Sequence, residues 1–338
     1  MESKTALSST LLSVFALLLV SPAAAFISPY SPFRHCYQTH HQSQLRLYRK
    51  FHERAWITLS PDYTNKQIPT DLRSNSSPVK NSDSNVIAEL RSTSTFPSLA
   101  PQANDSVLRL ARSAFLETQT TKSDVLISPM TIHVLNFVAF PNANIRDAKT
   151  GQYIGLPIFG ADIVSLPGNK HLVAIDFQPV LPLDESSFLL PMAFSAIESK
   201  LKSIHSSLQS GENAILPWGG DIPPQARRFF SPYALWTRLG GDNDTDDAIN
   251  KVETFVWEAF QEYLDLYMDM MKVVQQCVSV GLYEIDASLS NDENPVKKGQ
   301  MDYLEYRRVN DPARPMLRRL YGEEWTERVI DEVLFPSL

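Results

Sequence analysis

Residues 156–164 read Leu156-Pro157-Ile158-Phe159-Gly160-Ala161-Asp162-Ile163-Val164, an apolar strand pattern that contains one charge. Side chains along a strand alternate between its two faces, so Asp162 shares a face with Gly160 and Val164. The carboxylate then points into a core or into a cavity beside it. A carboxyl group removed from water keeps its proton to higher pH unless a cation compensates. The stretch therefore predicts a buried strand and marks Asp162 as a candidate proton donor.

Similar runs on either side of this stretch indicate an antiparallel meander, because they are short, apolar or alternating, and separated by Pro, Asn and Gly. The runs cover residues 108–115, 132–140, 156–164 and 171–180. The turn residues Leu166-Pro167-Gly168-Asn169 predict a hairpin between the last two runs. A further strand is predicted within residues 229–239.

Helices are predicted for residues 194–208, 247–277, 297–308, 312–321 and 323–334, with Gly322 as a stop. The 247–277 segment has an apolar stripe at helical spacing, which is typical of a core helix, and Thr245 and Asp246 supply capping groups at its start. The chain has no internal repeat. The pattern predicts an α/β fold in which an antiparallel sheet has helices on both faces.

The first 105 residues do not have the pattern of the folded part. Residues 1–25 predict a signal peptide, with an apolar run and three alanines before Phe26. Residues 26–60 are basic and predict a transit peptide, and the pair is typical of the bipartite plastid address of algae with a red-type secondary plastid. Residues 61–105 predict an irregular linker, and residues 106–338 the folded domain. We expect a plastid location and no membrane anchor in the mature form.

Composition excludes several function classes. The two cysteines, Cys36 and Cys277, cannot build a disulfide framework, an iron-sulfur cluster or a zinc site, so no metal is expected. No glycine-rich dinucleotide fingerprint and no phosphate-binding loop occurs, so redox chemistry would need electrons from outside. The net charge is −7, and the +4 carried by residues 1–60 leaves −11 for the remainder. That acidic balance argues against a nucleic-acid binder.

A second acid, Asp311, stands before Pro312 in the segment Asn310-Asp311-Pro312-Ala313-Arg314. An Asp in this place is typical of a helix N-cap followed by Pro at the first helical position. Capping would lower its pKa and work against a role as an acid. From the residues alone, both interpretations remain open.

Several segments together resemble the ferredoxin-dependent bilin reductases over residues 130–336. They are the 156–164 stretch, Asp176-Phe177-Gln178-Pro179, the 229–239 segment that contains Leu235-Trp236-Thr237-Arg238, the 303–317 segment around Asp311, and the 322–335 segment that begins Gly322-Glu323-Glu324-Trp325. Within the family, the combination of Asn136, Asp162 and Asp311 is similar to the members that reduce 15,16-dihydrobiliverdin to phycoerythrobilin. Phycocyanobilin-forming members carry His at the Asn136 position, and phytochromobilin-forming members tend to carry Asp there.

The resemblance implies a three-layer α/β/α sandwich with a central antiparallel sheet and a bilin between the sheet and the C-terminal helices. It implies radical chemistry with no bound cofactor, in which reduced [2Fe-2S] ferredoxin delivers single electrons. Asp162 and Asp311 would be the catalytic proton donors on opposite sides of the pigment. Asn136 would hydrogen-bond a pyrrole nitrogen or a lactam oxygen, and His171 could contact the edge of the bilin. Asp176 is a rival acid in apolar surroundings.

A basic segment near the C-terminus could contact ferredoxin or the bilin propionates. Residues 297–319 carry a local net charge of +4 inside an acidic protein, and ferredoxins are acidic. The candidate contacts are Lys297, Lys298, Arg307, Arg308, Arg314 and Arg318. Solvated helix faces are the simpler explanation for part of this set. Other bilin reductases or phycobiliprotein lyases are possible further partners.

Two other functions remain open on the sequence. One is a different bilin reductase subtype, which would convert biliverdin to 15,16-dihydrobiliverdin or to phytochromobilin. The other is a bilin carrier or chromophore lyase, which would hold the pigment without reducing it. A carrier needs a pocket but has no need of paired acids, so Asp162 and Asp311 favour an enzyme.

Overall fold

A computed structural model describes the chain over residues 47–48, 50–51, 53–55, 84–93, 107–120, 131–166, 168–182, 194–211, 214–240, 245–286 and 294–335. The predicted signal peptide, residues 1–25, lies outside these ranges, as does most of the predicted transit peptide. No helix among these residues has the length and apolar character needed to cross a bilayer.

A six-stranded antiparallel sheet forms the centre of the fold, and its strands lie in the order β1-β2-β3-β5-β6-β7. The strands are β1 (Ser84–Thr93), β2 (Leu108–Thr120), β3 (Thr131–Pro141), β5 (Ile158–Leu166), β6 (Lys170–Gln178) and β7 (Leu235–Leu239). The short strands β4 (Ile145–Asp147) and β8 (Tyr283–Ile285) pair separately. Neighbours in the large sheet follow each other along the chain except for the excursion through β4, so the predicted meander is confirmed.

Helices flank the sheet on both sides. They are α1 (Ser195–Gln209), α2 (Pro224–Arg227), α3 (Thr245–Lys251), α4 (Trp257–Ser279), α5 (Pro295–Asn310), α6 (Arg314–Tyr321) and α7 (Glu323–Arg328). A π-helical turn, Val252–Val256, joins α3 to α4, and another, Val329–Leu334, follows α7. The predicted long helix and the predicted C-terminal helices are therefore confirmed within a few residues.

One face of the sheet packs against α4 through aromatic rings. Phe159 of β5 contacts Phe137 of β3 and Phe177 of β6, with ring centroids 5.6 and 6.0 Å apart. Tyr267 of α4 contacts Phe159 and Phe177 at 5.4 Å each. Its hydroxyl donates to the carbonyls of Ala139 and Pro157. We call this the closed face, because its side chains are buried in the main hydrophobic core.

The other face of the sheet meets α5, α6 and the C-terminal π-helical turn. Near one end, Val138, Phe140 and Ile158 pack with Tyr303 and Leu304 of α5. Near the other end, Ile132 and Leu166 pack with Met316 and Leu317 of α6. We call this the site face, since the segment between these two patches contains Asp162.

Three residues fix α5 against the sheet. Asn294 caps the helix by accepting from the backbone N–H groups of Val296 and Lys297 at 3.0 Å, and its amide nitrogen donates to Ala143 O. Gln300 donates to Pro141 O at 2.9 Å. At Gly299, a Cβ would lie 1.8 Å from Val180 O, so only glycine allows this close approach. The N-terminal half of α5 is anchored, and its C-terminal half is held over the site face.

The hairpin between β5 and β6 follows the turn that the sequence predicts. Gly168 and Asn169 have φ values of 78° and 54°, and these are the residue types that tolerate the left-handed region. The short turn between the paired residues Leu166 and Lys170 fixes the register in which Asp162 pairs with Ala174 and Gly160 pairs with Asp176.

The structure differs from the sequence prediction at two places before residue 106. Tyr48, Phe51 and Ala55, expected to belong to the transit peptide, are fully buried in the main core on helical residues. Their i, i+3, i+7 spacing forms an apolar stripe that the basic composition around it conceals. Ser84–Thr93, inside the predicted irregular linker, forms β1 and pairs with β2. Cross-strand pairing with a long neighbour orders a segment whose own side chains give little strand signal.

Candidate active site

Adjacent strands bring Asn136 and Asp162 side by side. The register pairs Asn136 of β3 with Asp162 of β5, Asp162 with Ala174 of β6, and Ala174 with Trp236 of β7. Directly opposite residues of an antiparallel pair point to the same face, with their Cβ atoms about 5 Å apart. These four residues therefore form one row across the site face.

The site face is partly open along this row. Around Asp162, the side chains of the central segment are half-buried, whereas their chain neighbours on the closed face are fully buried. The half-buried group consists of Val134, Val164, Leu172, Ala174 and Trp236. An open strip of apolar side chains with one carboxylate in it suits a flat apolar molecule that has polar atoms at its edge.

Asp162 is engaged on both carboxylate oxygens. Its Oδ1 accepts from Nδ2 of Asn136, and its Oδ2 accepts from Nη1 and Nη2 of Arg307 at 3.1 and 3.0 Å. The side chain of Asp162 is 30% exposed. The sequence predicts an acid removed from water, but a compensating cation is present and the side chain of Asp162 keeps part of its surface exposed. The reason is that Arg307 is far away in sequence and close in space.

Asp311 approaches the same cation from the helical side. It ends α5, and its side chain is 4% exposed. Its Oδ2 lies 3.4 Å from Nη2 of Arg307, and its Oδ1 accepts from the backbone N–H of Ala313 at 2.8 Å. Burial raises the pKa of Asp311, although Arg307 opposes this shift. The predicted N-cap with Pro312 at the first helical position is wrong, because α6 begins at Arg314 with Ala313 as its N-cap, and Asp311 instead ends α5 and accepts from Ala313 in the turn between the helices. The role of Asp311 as an acid stays a prediction.

Arg307 joins the two acids. Its side chain is 15% exposed, and it contacts Asp162 and, one helical turn away, Asp311. Burial acts to lower the pKa of Arg307, but the charges of Asp162, Tyr303 and Asp311 outweigh it and raise the pKa. The sequence prediction that Arg307 contacts ferredoxin or a propionate from the basic segment needs correction. The i, i+4 spacing to Asp311 was the signal in the sequence for its place.

Sequence reasoning missed Arg112, which completes the cluster. Arg112 lies on β2, is 1% exposed, and donates from Nη2 to Oδ1 of Asn136 at 2.5 Å. Burial lowers its pKa to about 9. The ring of Phe335 lies beneath both cations, 5.6 Å from the guanidinium carbon of Arg112 and 4.8 Å from that of Arg307. The signal for Arg112 was a charge between Leu110 and Ala114, the residues that share its strand face.

Asn136 bridges this cluster. Its oxygen accepts from Arg112 and its nitrogen donates to Asp162, and it is 6% exposed. Both ends of the amide are used inside the protein. The structure therefore gives Asn136 a positioning role, because its amide holds Asp162. The contact of Asn136 with a bilin stays a prediction.

His171 does not lie with the other predicted site residues. It pairs with Ser165 and Leu239, and alternation along β6 places it with Val173 and Ile175 on the side of the closed face. It is buried, its Nε2 lies 3.1 Å from Oδ1 of Asn169, and burial lowers its pKa to about 4. The prediction that His171 contacts the substrate is corrected, because its position is one residue out of phase with the site face.

Asp176 is on the site face but has its own partners. Its carboxylate accepts from the backbone N–H of Ser231 at 2.8 Å and from the Ser231 hydroxyl. Burial raises the pKa of Asp176 to about 7. Since both oxygens are occupied in holding the segment before β7, the structural interpretation of this acid is the stronger one.

The remaining basic residues lie on or near the surface, and several are paired. Arg314 contacts Glu327 and the carbonyl of Arg308, while Arg318 contacts Glu323 and Glu327. Arg308 donates to Phe335 O at 2.7 Å. Lys298 is exposed and Lys297 half-buried at the start of α5, about 14 Å along the helix from Arg307. The acids of α7 thus offset part of the charge that the sequence assigned to a steering patch.

Comparison with known proteins places this cluster in a family. The family model described as "Ferredoxin-dependent bilin reductase" matches residues 121–336, which include Asn136, Asp162, Arg307 and Asp311. The chain belongs to the ferredoxin-dependent bilin reductases. As such it is an oxidoreductase that takes its electrons from ferredoxin, and the sequence prediction of the family is confirmed.

Two similar relatives carry the name phycoerythrobilin:ferredoxin oxidoreductase. The protein of Prochlorococcus marinus (strain MIT 9211) is 40% identical over 228 residues, which are 68% of this chain and 72% of the relative. The protein of Nostoc punctiforme is 38% identical over 207 residues, which are 61% of this chain and 66% of the relative. These matches support a likeness to phycoerythrobilin-forming members within the bilin reductases.

A solved structure of the family is also similar. It is SeMet-phytochromobilin synthase from tomato in complex with biliverdin, with 23% sequence identity, coverage of 73% of this chain and 69% of that chain, and a TM-score of 0.43. The sandwich predicted from the sequence agrees with the element order described above, in which a central antiparallel sheet lies between α4 on one face and α5 and α6 on the other.

Proposed function

We propose that this bilin reductase converts 15,16-dihydrobiliverdin to phycoerythrobilin by reducing the A-ring diene. Two single electrons would come from reduced ferredoxin and two protons from the enzyme. The observation that carries the proposal is the pair Asp162 and Asp311, which contact one cation, Arg307, beside the open strip of the site face. The names of the relatives in Prochlorococcus marinus and Nostoc punctiforme, which contain phycoerythrobilin and ferredoxin, support this product and this electron donor.

The two acids differ in a way that suits two steps. Asp162 has the exposed carboxylate and can reach a bilin that lies on the strip, so it is the candidate for protonating the pigment and making it a better electron acceptor. Asp311 is buried, and burial raises its pKa, which favours the protonated form, so it is the candidate for delivering a proton after an electron has arrived. Arg307 would keep the pair together and compensate the charge left when a proton departs.

Electrons need no cofactor of this chain in the proposed reaction, because the bilin itself is the acceptor. Reduced ferredoxin would dock within electron-transfer distance of the open strip. Lys297, Lys298, Arg308, Arg314 and Arg318 remain candidates for that contact, and raising the salt concentration should slow turnover if they steer the encounter. Turnover that is indifferent to ionic strength would argue against a steering role.

The test of the proposed function uses two substrates. The protein is incubated separately with 15,16-dihydrobiliverdin and with biliverdin, each with a ferredoxin-reducing system, and the products are identified by absorbance and chromatography. Phycoerythrobilin formed from 15,16-dihydrobiliverdin is the expected result. If the protein converts biliverdin but not 15,16-dihydrobiliverdin, it is a different subtype of bilin reductase. A spectral change that needs no reduced ferredoxin, with no product formed, would indicate a bilin carrier or lyase.

We also propose a plastid location through residues 1–25 as a signal and the following basic segment as a transit peptide. The buried Tyr48 and Phe51 argue that removal of the transit peptide stops before residue 47. Mass spectrometry of the N-terminus of the protein isolated from its source would test this boundary. A mature chain that starts after residue 55 would contradict it. Other bilin reductases and phycobiliprotein lyases remain candidate partners for handing over substrate and product.

A further inference from the structure

Arg112 is a buried cation whose described hydrogen bond is made to Asn136 and not to either acid. Its Nη2 donates to Oδ1 of Asn136, while its Nε and Nη1 have no partner among the residues that the structure describes. A buried cation without a direct carboxylate partner is costly, and burial lowers the pKa of Arg112 to about 9. A buried charge that costs this much free energy is expected to have a function. Arg112 also lies nine residues before the segment that the family model matches.

The hydrogen bond from Arg112 determines how the amide of Asn136 points. A guanidinium can only donate, so the atom of Asn136 that faces Arg112 must be the oxygen. The nitrogen of the same amide then faces Asp162 and donates to Oδ1. Without a donor in the place of Arg112, the oxygen of the amide would lose its charged partner, and the contact with Asp162 alone would hold the side chain of Asn136.

The strand register makes this chain of contacts rigid. Arg112 pairs with Val138, two residues from Asn136, so it reaches Asn136 diagonally across the β2–β3 ladder. The stacking of its guanidinium on Phe335 limits its rotation. Arg112, Asn136 and Asp162 thus lie on three neighbouring strands of the sheet, β2, β3 and β5. Of these three residues, Asp162 is the one that reaches the open strip.

We propose that Arg112 is a positioning residue, which fixes the amide of Asn136 and through it the orientation of the Asp162 carboxylate during bilin reduction. This inference rests on the proposed function of Asp162 as the acid beside the pigment. Arg112 acts through Asn136 and does not contact the substrate. Its removal should change the chemical step and leave bilin binding almost unaffected.

The test compares Arg112→Met, Arg112→Lys and Asn136→Leu with the double variant Arg112→Met/Asn136→Leu. Methionine keeps much of the apolar stem and removes the donors, while lysine keeps a charged donor and serves as the conservative rescue. Arg109→Met is the matched control, because Arg109 lies on the same strand at the irregularity between Leu108 and Leu110, outside the pairing register. Each variant is checked for folding, and its rate is expressed per folded enzyme.

Three results are expected. Arg112→Met lowers the single-turnover rate about tenfold, which corresponds to the loss of one charge-assisted hydrogen bond. The same variant shifts the pH profile of the rate. Its Kd for 15,16-dihydrobiliverdin, measured by absorbance titration, changes less than about twofold. Arg112→Lys recovers most of the rate. The double variant is no slower than Asn136→Leu, because Arg112 acts only through Asn136.

A spectroscopic arm separates this inference from the proposed function. In ligand-free protein labelled with ¹⁵N-asparagine, the side-chain amide signal of Asn136, assigned with Asn136→Leu, should move in Arg112→Met and stay in place in Arg109→Met. An unmoved amide signal, or an unchanged rate and pH profile in Arg112→Met, would overturn the positioning role. If the wild-type protein reduced no bilin, the proposed function would fail while the amide signal still reported on the contact. Should Arg112→Met not fold, a full loss of rate in folded Arg112→Lys with an unmoved amide signal would also overturn it.

Discussion

The two faces of the sheet differ in chemistry, although the same strands form both. On the closed face, Phe159 and Ile163 are fully buried and meet only apolar or aromatic partners. On the site face, one residue away along β5, Asp162 is part of a cluster of four charged side chains and is partly exposed. Alternation along a strand separates stability from chemistry by a single residue step.

The contrast teaches where charge can be accommodated. The closed face packs against α4 and is mostly apolar, and the polar side chains on it, such as His171, are buried and uncharged or hydrogen-bonded within the protein. In the part of the chain that the structure describes, the site face packs against α5, α6 and the C-terminal π-helical turn, but the row around Asp162 stays partly exposed and available for a ligand. Two arginines and two aspartates come together beside this row, and their net charge is zero when all four are ionised.

The largest effect should come from removing residues 47–55. These residues pack in the core beneath the closed face, although they lie far from β3, β5 and β6 in sequence. A chain that begins at residue 61 lacks Tyr48 and Phe51, which are fully buried, and should lose about 3–6 kcal/mol of unfolding free energy. Urea denaturation of this chain and of one that begins at residue 41 measures the difference. Equal denaturation midpoints would show that residues 47–55 add nothing to the core.

Next in size is the effect of the acids on the site face. Asp162→Asn and Asp311→Asn should each lower the rate of bilin reduction about 10²-fold or more, which is typical of losing a positioned proton donor, while the urea midpoint changes little. Single-turnover absorbance with reduced ferredoxin measures the rate. Asp269→Asn, an exposed aspartate of α4 that pairs with Lys272 away from the site face, is the matched control. Turnover at the wild-type rate in both Asn variants would refute the proposed proton donors.

A smaller effect should distinguish neighbours on β5. Ile163→Ala removes a fully buried side chain from the closed face, and it should cost about 3 kcal/mol of unfolding free energy. Val164→Ala removes a half-buried side chain from the site face, and it should cost about 1 kcal/mol. Thermal or urea unfolding of both variants measures the difference. Equal costs would mean that the site face is as tightly packed as the closed one.

The smallest effect is a pH dependence from Asp176. Burial raises the pKa of Asp176 to about 7 in the folded protein, above its unfolded value of about 3.9. Between these pH values the folded protein holds a proton that the unfolded chain releases, so stability falls as pH rises, by at most about 1.4 kcal/mol per pH unit. Asp176→Asn should flatten this slope. A slope equal to that of the wild type would contradict the assignment of the shift to Asp176.

Much of the fold could be predicted from local pattern. The strands around Asp162, the hairpin turn at Gly168 and the helices after residue 294 follow from alternation, turn residues and caps that act over a few positions. Strand β1 and the helical residues around Phe51 could not be predicted, because their order depends on pairing and packing with distant parts of the chain.

The site was predictable as residue types but not as a network. Asp162 stood out because it is a charge in an apolar strand, whereas Asn136 and Asp311 were assigned to the site through the family resemblance. That Asp162 is paired with Arg307, that Arg112 fixes Asn136, and that His171 lies out of phase are facts of register and helix placement. Register depends on the sum of many cross-strand contacts, so it is not visible in any one segment.

The central claim is that Asp311 and Asp162 supply protons while ferredoxin supplies electrons, and infrared difference spectroscopy tests it most directly. The complex with 15,16-dihydrobiliverdin is reduced by a photochemical electron donor, with and without ¹³C-labelled aspartate. The account predicts that a protonated aspartic acid C=O band disappears on reduction, shifts with the label, and is absent in Asp311→Asn. Reduction of the bilin with no aspartic acid band changing, or with the same change in Asp311→Asn, would contradict the account.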